Sequence, residues 1–292
     1  MTELTPELIR EAVLAALEED IGNGDRTTEA LVPSGLMGRG RIVAKQAGVL
    51  AGIDIARCAF ELRDPNVTIR SARRDGDRLE PGDEVLELEG SAHGLLTAER
   101  VALNFLQRLS GIATTTAAYV DAIKGTGAAI LDTRKTTPLL RPFERHAVTM
   151  GGGRNHRYGL SDQILIKENH FALSGLGSGT SGIAAGVTRA KELAGGLLVE
   201  AEVRDLDELE GALSAGADII LLDNMGPDLL IEAVRRAAGQ DPRPELEASG
   251  GITLETVAQI AATGVDRISV GALTHSYRSL DLSMYIEAST RL

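Results

Sequence analysis

From residue 127 onward, six short apolar runs, AAILDTRK, QILIKENH, LLVEAEV, ADIILLDN, PELEASGG and DRISVGA, pass into polar or glycine residues. Amphipathic stretches such as DLDELEGALSAGA, DLLIEAVRRAAG and TLETVAQIAATG separate most of them. A strand that reaches the next strand through a helix returns to the same end of the sheet, so the two pair in parallel. Repeated alternation of this kind predicts a barrel-like α/β fold, with a short additional strand near Gly153–Arg157.

The first third of the chain reads differently. Residues 5–20, TPELIREAVLAALEED, predict a helix capped by Thr5, with Pro6 in its first turn and Leu8, Leu14 and Leu17 near one face. GNGDRTTEALVPSG reads as loop. Between Gly38 and Leu95 the pattern is strand-like, in RIVAKQAGVLAGI, NVTIRSARR and DEVLELEG, divided at Asp75-Gly76 and Pro81-Gly82. The segment DGDRLEPGDEVLELEG has the outline of a lipoyl-type β-domain, but no lysine stands at a turn tip, so plain strands are the better reading. Thr97 to Gly125 is helical with a break near Ser110-Gly111, and GLGSGTSGIAAG (175–186) reads as a flexible loop.

Composition narrows the partners. A net charge of −12 disfavours nucleic acid and anionic membranes, and the absence of Trp removes the usual stacking platforms for single strands. No run reaches the length of a membrane span, and the acidic opening segment lacks the basic start of a signal peptide. Cys58 is the only cysteine, which excludes an internal disulfide and fits a buried thiol in a reducing cytoplasm. No Cys/His cluster has zinc spacing.

One segment runs against the overall charge. Between Asp132 and His170, Arg134, Lys135, Arg141, Arg145, Arg154, Arg157 and Lys167 stand against Asp132, Glu144, Asp162 and Glu168. A helix with a solvated basic face accounts for Arg141 and Arg145. The others follow apolar strands, where a focused positive cleft suits a small anion. In a β/α barrel the C-terminal strand ends form the site. Read in order, those ends carry Asp132, Arg134 and Lys135, then His156 and Arg157, then Lys167, then Glu200 and Glu202, then Asp223 and Asn224, then Ser249, Gly250 and Gly251, then Gly271. Arginine can grip a planar carboxylate with two parallel hydrogen bonds, and lysine serves as a point charge on phosphate. Glu202 and Asp223 form either an acidic pair that neutralises the lysines or a site for ribose hydroxyls or Mg2+. SGGIT and VGALT have the small residues of a phosphate turn, or of a tight turn only. The composite ligand carries carboxylates, a sugar and phosphates.

The ordered set LLTAERVALNFLQRLSGIAT, LDTRKTTPLLR, GGGRNHRYGLSDQILIKENH, ADIILLDN, LEASGGIT and ISVGALTHS resembles the quinolinate phosphoribosyltransferase family from about residue 95 to 282. The resemblance implies an N-terminal α/β sandwich over 1–112 and an incomplete seven-stranded α/β barrel over 113–292, with the C-terminal tail packing back on the first domain. It implies transfer of phosphoribose from phosphoribosyl pyrophosphate to quinolinate with decarboxylation, giving nicotinate mononucleotide for NAD synthesis, in a cytoplasmic homodimer or larger homo-oligomer with shared sites. By motif, Arg134, His156, Arg157 and Lys167 would bind the two quinolinate carboxylates, joined by Arg100 from the partner subunit and by Thr133 in the same turn as Arg134. Lys135 and Lys167 would face the phosphoribosyl donor. Glu202 and Asp223 would hold ribose hydroxyls and Mg2+. Ser249, Gly250, Gly251, Val270, Gly271 and Ala272 would cradle the 5-phosphate. Lys135, Lys167, Glu202 and Asp223 would be the catalytic set.

Leu139 replaces a common family glycine, Arg154 replaces a small or apolar residue, and the 175–182 loop is longer than usual. A paralogue found with molybdate transport functions shares parts of the pattern, but Lys167 in LIKENH favours the quinolinate enzyme. Two other classes compete: a barrel lyase with a Schiff-base lysine at Lys135 or Lys167, and a non-catalytic anion-binding protein on the same fold. The intact pair of Glu202 and Asp223 argues against the latter.

Overall fold

The computed structural model describes residues 4–289. In chain order the first elements are α1 (Pro6–Ile21), α2 (Arg26–Leu31), β1 (Met37–Ala44), β2 (Gly48–Val49), α3 (Ile53–Arg63), β3 (Thr68–Ser71), β4 (Arg78–Leu79), β5 (Glu84–Ser91) and α4 (Ala92–Ala122). There follow β6 (Ala129–Leu131), α5 (Arg141–Met150), β7 (Ile164–Ile166), α6 (Glu168–Ser174), α7 (Gly179–Leu193), β8 (Val199–Val203), α8 (Leu206–Ser214) and β9 (Ile219–Asp223). The last are α9 (Pro227–Ala237), β10 (Glu245–Ser249), α10 (Val257–Ala261), β11 (Arg267–Ser269), α11 (Ala272–His275) and β12 (Leu282–Ala288). The chain forms two compact units. One comprises residues up to Ala117, Thr137–Gly152 and the chain from Ser276 on; the other comprises Ala118–Thr136 and Gly153–His275.

The first unit is built on an antiparallel sheet of order β12-β1-β5-β3. β12 comes from the far end of the chain and pairs along β1, with Gly40 opposite Ile286 on one side and Leu88 on the other. Thr5 caps α1 by accepting the Leu8 N–H, as its sequence predicts. The buried face is Ile9, Val13 and Leu17, whereas Leu14 is 37% exposed, so the apolar stripe is rotated from the one expected. The supposed loop after it contains α2, because the Asp25 carboxylate accepts the Thr28 N–H and starts a helical turn.

The strand-like stretch 38–95 contains a helix, α3. Its N-terminal N–H groups at Gly52 and Ile53 are accepted by Asp75, a residue far along the sequence, at 2.9–3.0 Å. A cap supplied from a distant loop is invisible to local pattern. His146 Nε2 holds the same carboxylate at 2.7 Å. α4 runs unbroken through Gly111, contrary to the expected break. That glycine is there for close approach: a side chain would strike the Arg278 carbonyl and, at 2.8 Å, the Ser279 Cα. α5 carries no solvated basic face; Arg145 is 7% exposed and Glu144 is fully buried against Arg108, 2.5 Å away.

The second unit holds a six-stranded parallel sheet of order β6-β11-β10-β9-β8-β7. All six sequence-predicted strands are present. The expected seventh is reduced to one bridge, Leu131 to Arg154, in which Arg154 N–H donates to the Ile130 carbonyl at 2.8 Å. Side chains alternate along each strand, so Glu200 and Glu202, Leu221 and Asp223, and Glu247 and Ser249 occupy successive levels of one face. The predicted flexible loop 175–186 is helical from Gly179, in α7. Its glycines serve packing: an added Cβ at Gly186 would lie 2.5 Å from the Phe171 ring, and one at Gly182 would lie 2.6 Å from the Gly177 backbone.

Candidate active site

The strands of the second unit end in parallel, and so their polar C-terminal residues share one edge of the sheet. Arg134 and Lys135 follow β6 and are exposed. Their turn is held by Thr133 Oγ1, which accepts the Lys135 N–H at 3.1 Å, and by Thr274 Oγ1, which donates to the Lys135 carbonyl at 2.8 Å. The Lys135 side chain lies along the bare backbone of Gly271. A Cβ there would meet Lys135 Cδ at 3.2 Å and His275 Nε2 at 3.1 Å. This brings together two turns that are 136 residues apart in the sequence, the TRK turn and the VGA turn of Val270, Gly271 and Ala272.

Arg157 is half-buried, and its Nη1 donates to the Gln163 carbonyl at 3.2 Å. Burial and then the neighbouring Arg134 guanidinium pull its pKa down, opposed by Glu200 and Asp162. Two guanidiniums near enough to repel each other are an arrangement that an anionic ligand relieves. Lys167, after β7, pairs through Nζ with Glu202 Oε2 at 2.9 Å. Asp223 ends β9 beside Ser249 at the end of β10. Asn224 takes a left-handed backbone (φ 54°), donates its N–H to the Ser249 carbonyl at 2.8 Å and its amide to Asp223 Oδ2 at 2.9 Å. Gly250 has φ +98° and presses its bare Cα against the Asn224 amide oxygen; any side chain would collide there. Gly251, at φ +60°, has open space beside it. The SGG turn therefore presents backbone without side chains, as a phosphate turn requires.

His156 differs from the exposed cations. Its side chain is 7% exposed, with Nε2 at 3.3 Å from Glu200 Oε2 and 3.2 Å from Glu247 Oε1, both on fully buried carboxylates. Burial lowers its pKa, but the hydrogen bonds and charges of the two glutamates outweigh this and carry it up to about 9. Its backbone N–H donates to Asp132 Oδ1 at 2.7 Å, and its Nδ1 accepts the Arg157 N–H at 2.7 Å. A ring accepting there carries its proton on Nε2, between the carboxylates; a second proton enters at Nδ1 and displaces that contact.

Arg134, Lys135, Arg157, Lys167, Glu202, Asp223, Ser249, Gly250, Gly251 and Gly271 thus lie on one edge of one sheet, and His156 lies beneath them. Arg100 is exposed on α4 in the part of that helix belonging to the first unit. Glu200, Glu247 and Gln163 were not singled out as ligands from sequence. The two glutamates leave one trace, a charged residue two positions before a strand's last polar one inside an otherwise apolar parallel strand. Leu139, at φ 67° and 93% exposed, occupies a left-handed position, which is the backbone reason a glycine suits it.

A parallel α/β unit with cations, carboxylates and glycine turns gathered at its C-terminal strand ends defines an enzyme class that works on anionic, phosphorylated small molecules. The profile described as quinolinate phosphoribosyl transferase, N-terminal domain, matches residues 25–110, and the corresponding C-terminal domain matches residues 112–285. The chain is 44% identical over 273 residues to the probable nicotinate-nucleotide pyrophosphorylase (carboxylating) of Bacillus subtilis, covering 93% of this chain and 91% of that one. It is also 44% identical over 280 residues to the nicotinate-nucleotide pyrophosphorylase (carboxylating) of Mycobacterium leprae, covering 94% and 96%. The solved nicotinate-nucleotide pyrophosphorylase of Francisella tularensis superposes with a TM-score of 0.91 at 39% identity, over 98% of each chain. The chain belongs to the quinolinate phosphoribosyltransferase family.

Proposed function

We infer that this chain catalyses phosphoribosyl transfer from phosphoribosyl pyrophosphate to quinolinate with loss of carbon dioxide, giving nicotinate mononucleotide. The observation that supports this most directly is the neighbouring Arg134 and Arg157, whose mutual repulsion a dicarboxylate would relieve, on the same strand-end edge as Lys167, Glu202 and Asp223. In this reading Arg134, Arg157 and Lys167 grip the quinolinate carboxylates, with Arg100 contributed by a second copy in a homodimer. His156 acts from below the pocket, and its buried ring contributes chiefly through Arg157. Lys135 and the turns Ser249–Gly251 and Val270–Ala272 hold the pyrophosphate and 5-phosphate.

Glu202 and Asp223 would hold Mg2+ when the donor is bound. Glu202 and Asp223 fit it by donor chemistry: two oxygen ligands beside the phosphate turns suit a hard cation that keeps phosphate oxygens and water. Bound, it would neutralise pyrophosphate charge. Lys167, paired with Glu202, shifts between that carboxylate and the substrates. The bond between sugar C1 and the pyrophosphate oxygen breaks, its electron pair leaving with pyrophosphate. Positive charge on the sugar is stabilised by the nearby carboxylates, and the quinolinate ring nitrogen attacks C1. The now cationic nitrogen stabilises the electron pair left on the adjacent ring carbon as its carboxylate departs as carbon dioxide, and that carbon takes a proton from solvent. Positioning and preorganised charge supply most of the acceleration. No helix among the described residues is long and apolar enough to cross a membrane, which is compatible with a cytoplasmic enzyme.

The test is purified protein with phosphoribosyl pyrophosphate, Mg2+ and either quinolinate or nicotinate. Nicotinate mononucleotide and carbon dioxide from quinolinate alone support the reading. Product from nicotinate alone would keep the transfer and overturn the decarboxylation, and no product from either would overturn both.

A further inference from the structure

Glu200 is completely buried on β8, one level below Glu202, and its Oε1 has no hydrogen-bond partner among the described residues. A bare oxygen on a buried carboxylate is costly, and stability alone gives no reason to keep it. Its other oxygen is the meeting point of two links to Arg157. Gln163 Nε2 donates to Glu200 Oε2 at 2.5 Å, and the Gln163 carbonyl accepts from Arg157 Nη1 at 3.2 Å. His156 Nε2 lies 3.3 Å from the same Glu200 oxygen, and His156 Nδ1 accepts the Arg157 backbone N–H at 2.7 Å. Arg157 is therefore tied at both its backbone and its guanidinium, and both ties end on one carboxylate oxygen.

The three groups His156, Glu200 and Glu247 bring their ligand atoms within 4.8 Å of one another, a spacing a cation could use. Three of the four carboxylate oxygens already face protein partners, however. Ser269 donates to Glu247 Oε1, Gln163 donates to Glu200, and Arg267 Nε lies 3.0 Å from Glu247 Oε2 as an ion pair not aligned for a hydrogen bond. Arg267 and the His156 ring also face the two carboxylates, so the cluster has partners of its own without a metal.

We propose that Glu200 is a positioning residue for substrate recognition: it fixes Arg157, through Gln163 and His156, in the orientation that grips a pyridine carboxylate. The proposal rests on the reading of Arg157 as a quinolinate ligand. Glu200→Gln keeps an acceptor oxygen and the volume but removes the charge; Glu200→Ala removes the node. Kinetics of both, of Arg157→Ala and of the double variant Glu200→Ala/Arg157→Ala form a double-mutant cycle. A ligand arginine displaced by a fraction of an ångström loses roughly tenfold to a hundredfold in kcat/KM. The expected result is such a loss for quinolinate in Glu200→Ala, a smaller one in Glu200→Gln, and a donor KM within about twofold of wild type. In the Arg157→Ala background the Glu200 substitution then costs almost nothing more. Equal, additive losses in both backgrounds, or equal rises in both KM values, would show a merely structural role and overturn the proposal. If Glu200→Ala does not fold, the cycle is run with Glu200→Gln. An Arg157→Ala variant with full activity points instead to failure of the underlying substrate assignment, which the single variant reveals alone.

Discussion

Replacing Arg157 by alanine tests the core of the functional reading. The wild-type side chain donates from Nη1 to the Gln163 carbonyl at 3.2 Å, and it sits beside Arg134. Loss of that bond removes about 0.5–1.5 kcal/mol of stability, and relief of the arginine repulsion returns part of it, so the fold should change by under about 1 kcal/mol. Loss of substrate binding is larger. A charge-assisted hydrogen bond contributes about 1.5–3 kcal/mol, and an arginine facing a carboxylate makes up to two of them. A loss near 3 kcal/mol in the transition state is about 10²-fold in kcat/KM, at about 1.4 kcal/mol per decade. Steady-state rates with varied quinolinate, read beside urea denaturation of the same protein, separate the two effects. Quinolinate at about 100 times the wild-type Kd should stabilise wild type by about 2.7 kcal/mol and Arg157→Ala, with about 10²-fold weaker binding, by only about 0.4 kcal/mol. A change in kcat/KM below about threefold, well under the scale of one preorganised donor, removes Arg157 from the site.

Three other outcomes follow from individual contacts. Gly271→Ala keeps an allowed backbone but places a methyl 3.1–3.2 Å from His275 and Lys135. It should raise the KM for phosphoribosyl pyrophosphate by roughly tenfold and spare that for quinolinate, and the opposite pattern would remove Gly271 from the phosphate end. Gly186→Ala gains about 1 kcal/mol of helix propensity but forces a contact 2.5 Å from the Phe171 ring, an overpacking cost of about 1–3 kcal/mol. Its urea midpoint should fall and recover with Phe171→Leu; a midpoint above wild type would show that the helix, not packing, dominates. The His156 pKa is raised from 6.5 to about 9, so its contribution is full below the unfolded pKa and is lost as pH rises through about 9. At about 1.36 kcal/mol per pH unit it amounts to at most about 3.4 kcal/mol. Denaturation midpoints measured from pH 6 to 10 should decline in wild type and decline less in His156→Asn, while parallel curves would place the titration elsewhere.

Local pattern reveals most where neighbours in sequence decide the structure. The six parallel strands were legible because each is an apolar run between amphipathic helices, and Thr5 was legible as a cap because it bonds three residues ahead. α3 was not legible, since Asp75 caps it from a separate loop. Gly111, Gly182 and Gly186 looked like breaks or flexibility, but each sits inside a helix where another segment comes too close for a Cβ. Arg145 looked solvated because charge is the only property its sequence neighbours display; its 7% exposure is set by the faces that α5 packs against.

The residue types at the strand ends, two arginines, two lysines, two carboxylates and the glycine turns, were determined by sequence alone. So was the parallel order that brings them to one edge, because alternation of strand and helix leaves few other topologies. What the tertiary structure decided is which of those groups face outward and which face inward. His156 stands in the same motif as Arg157, yet its ring turns into the sheet between Glu200 and Glu247, while Arg157 and Arg134 come close enough to repel. That difference depends on strands β8 and β10, on their alternation and on burial. These are properties of three segments at once, and no single stretch of sequence contains them.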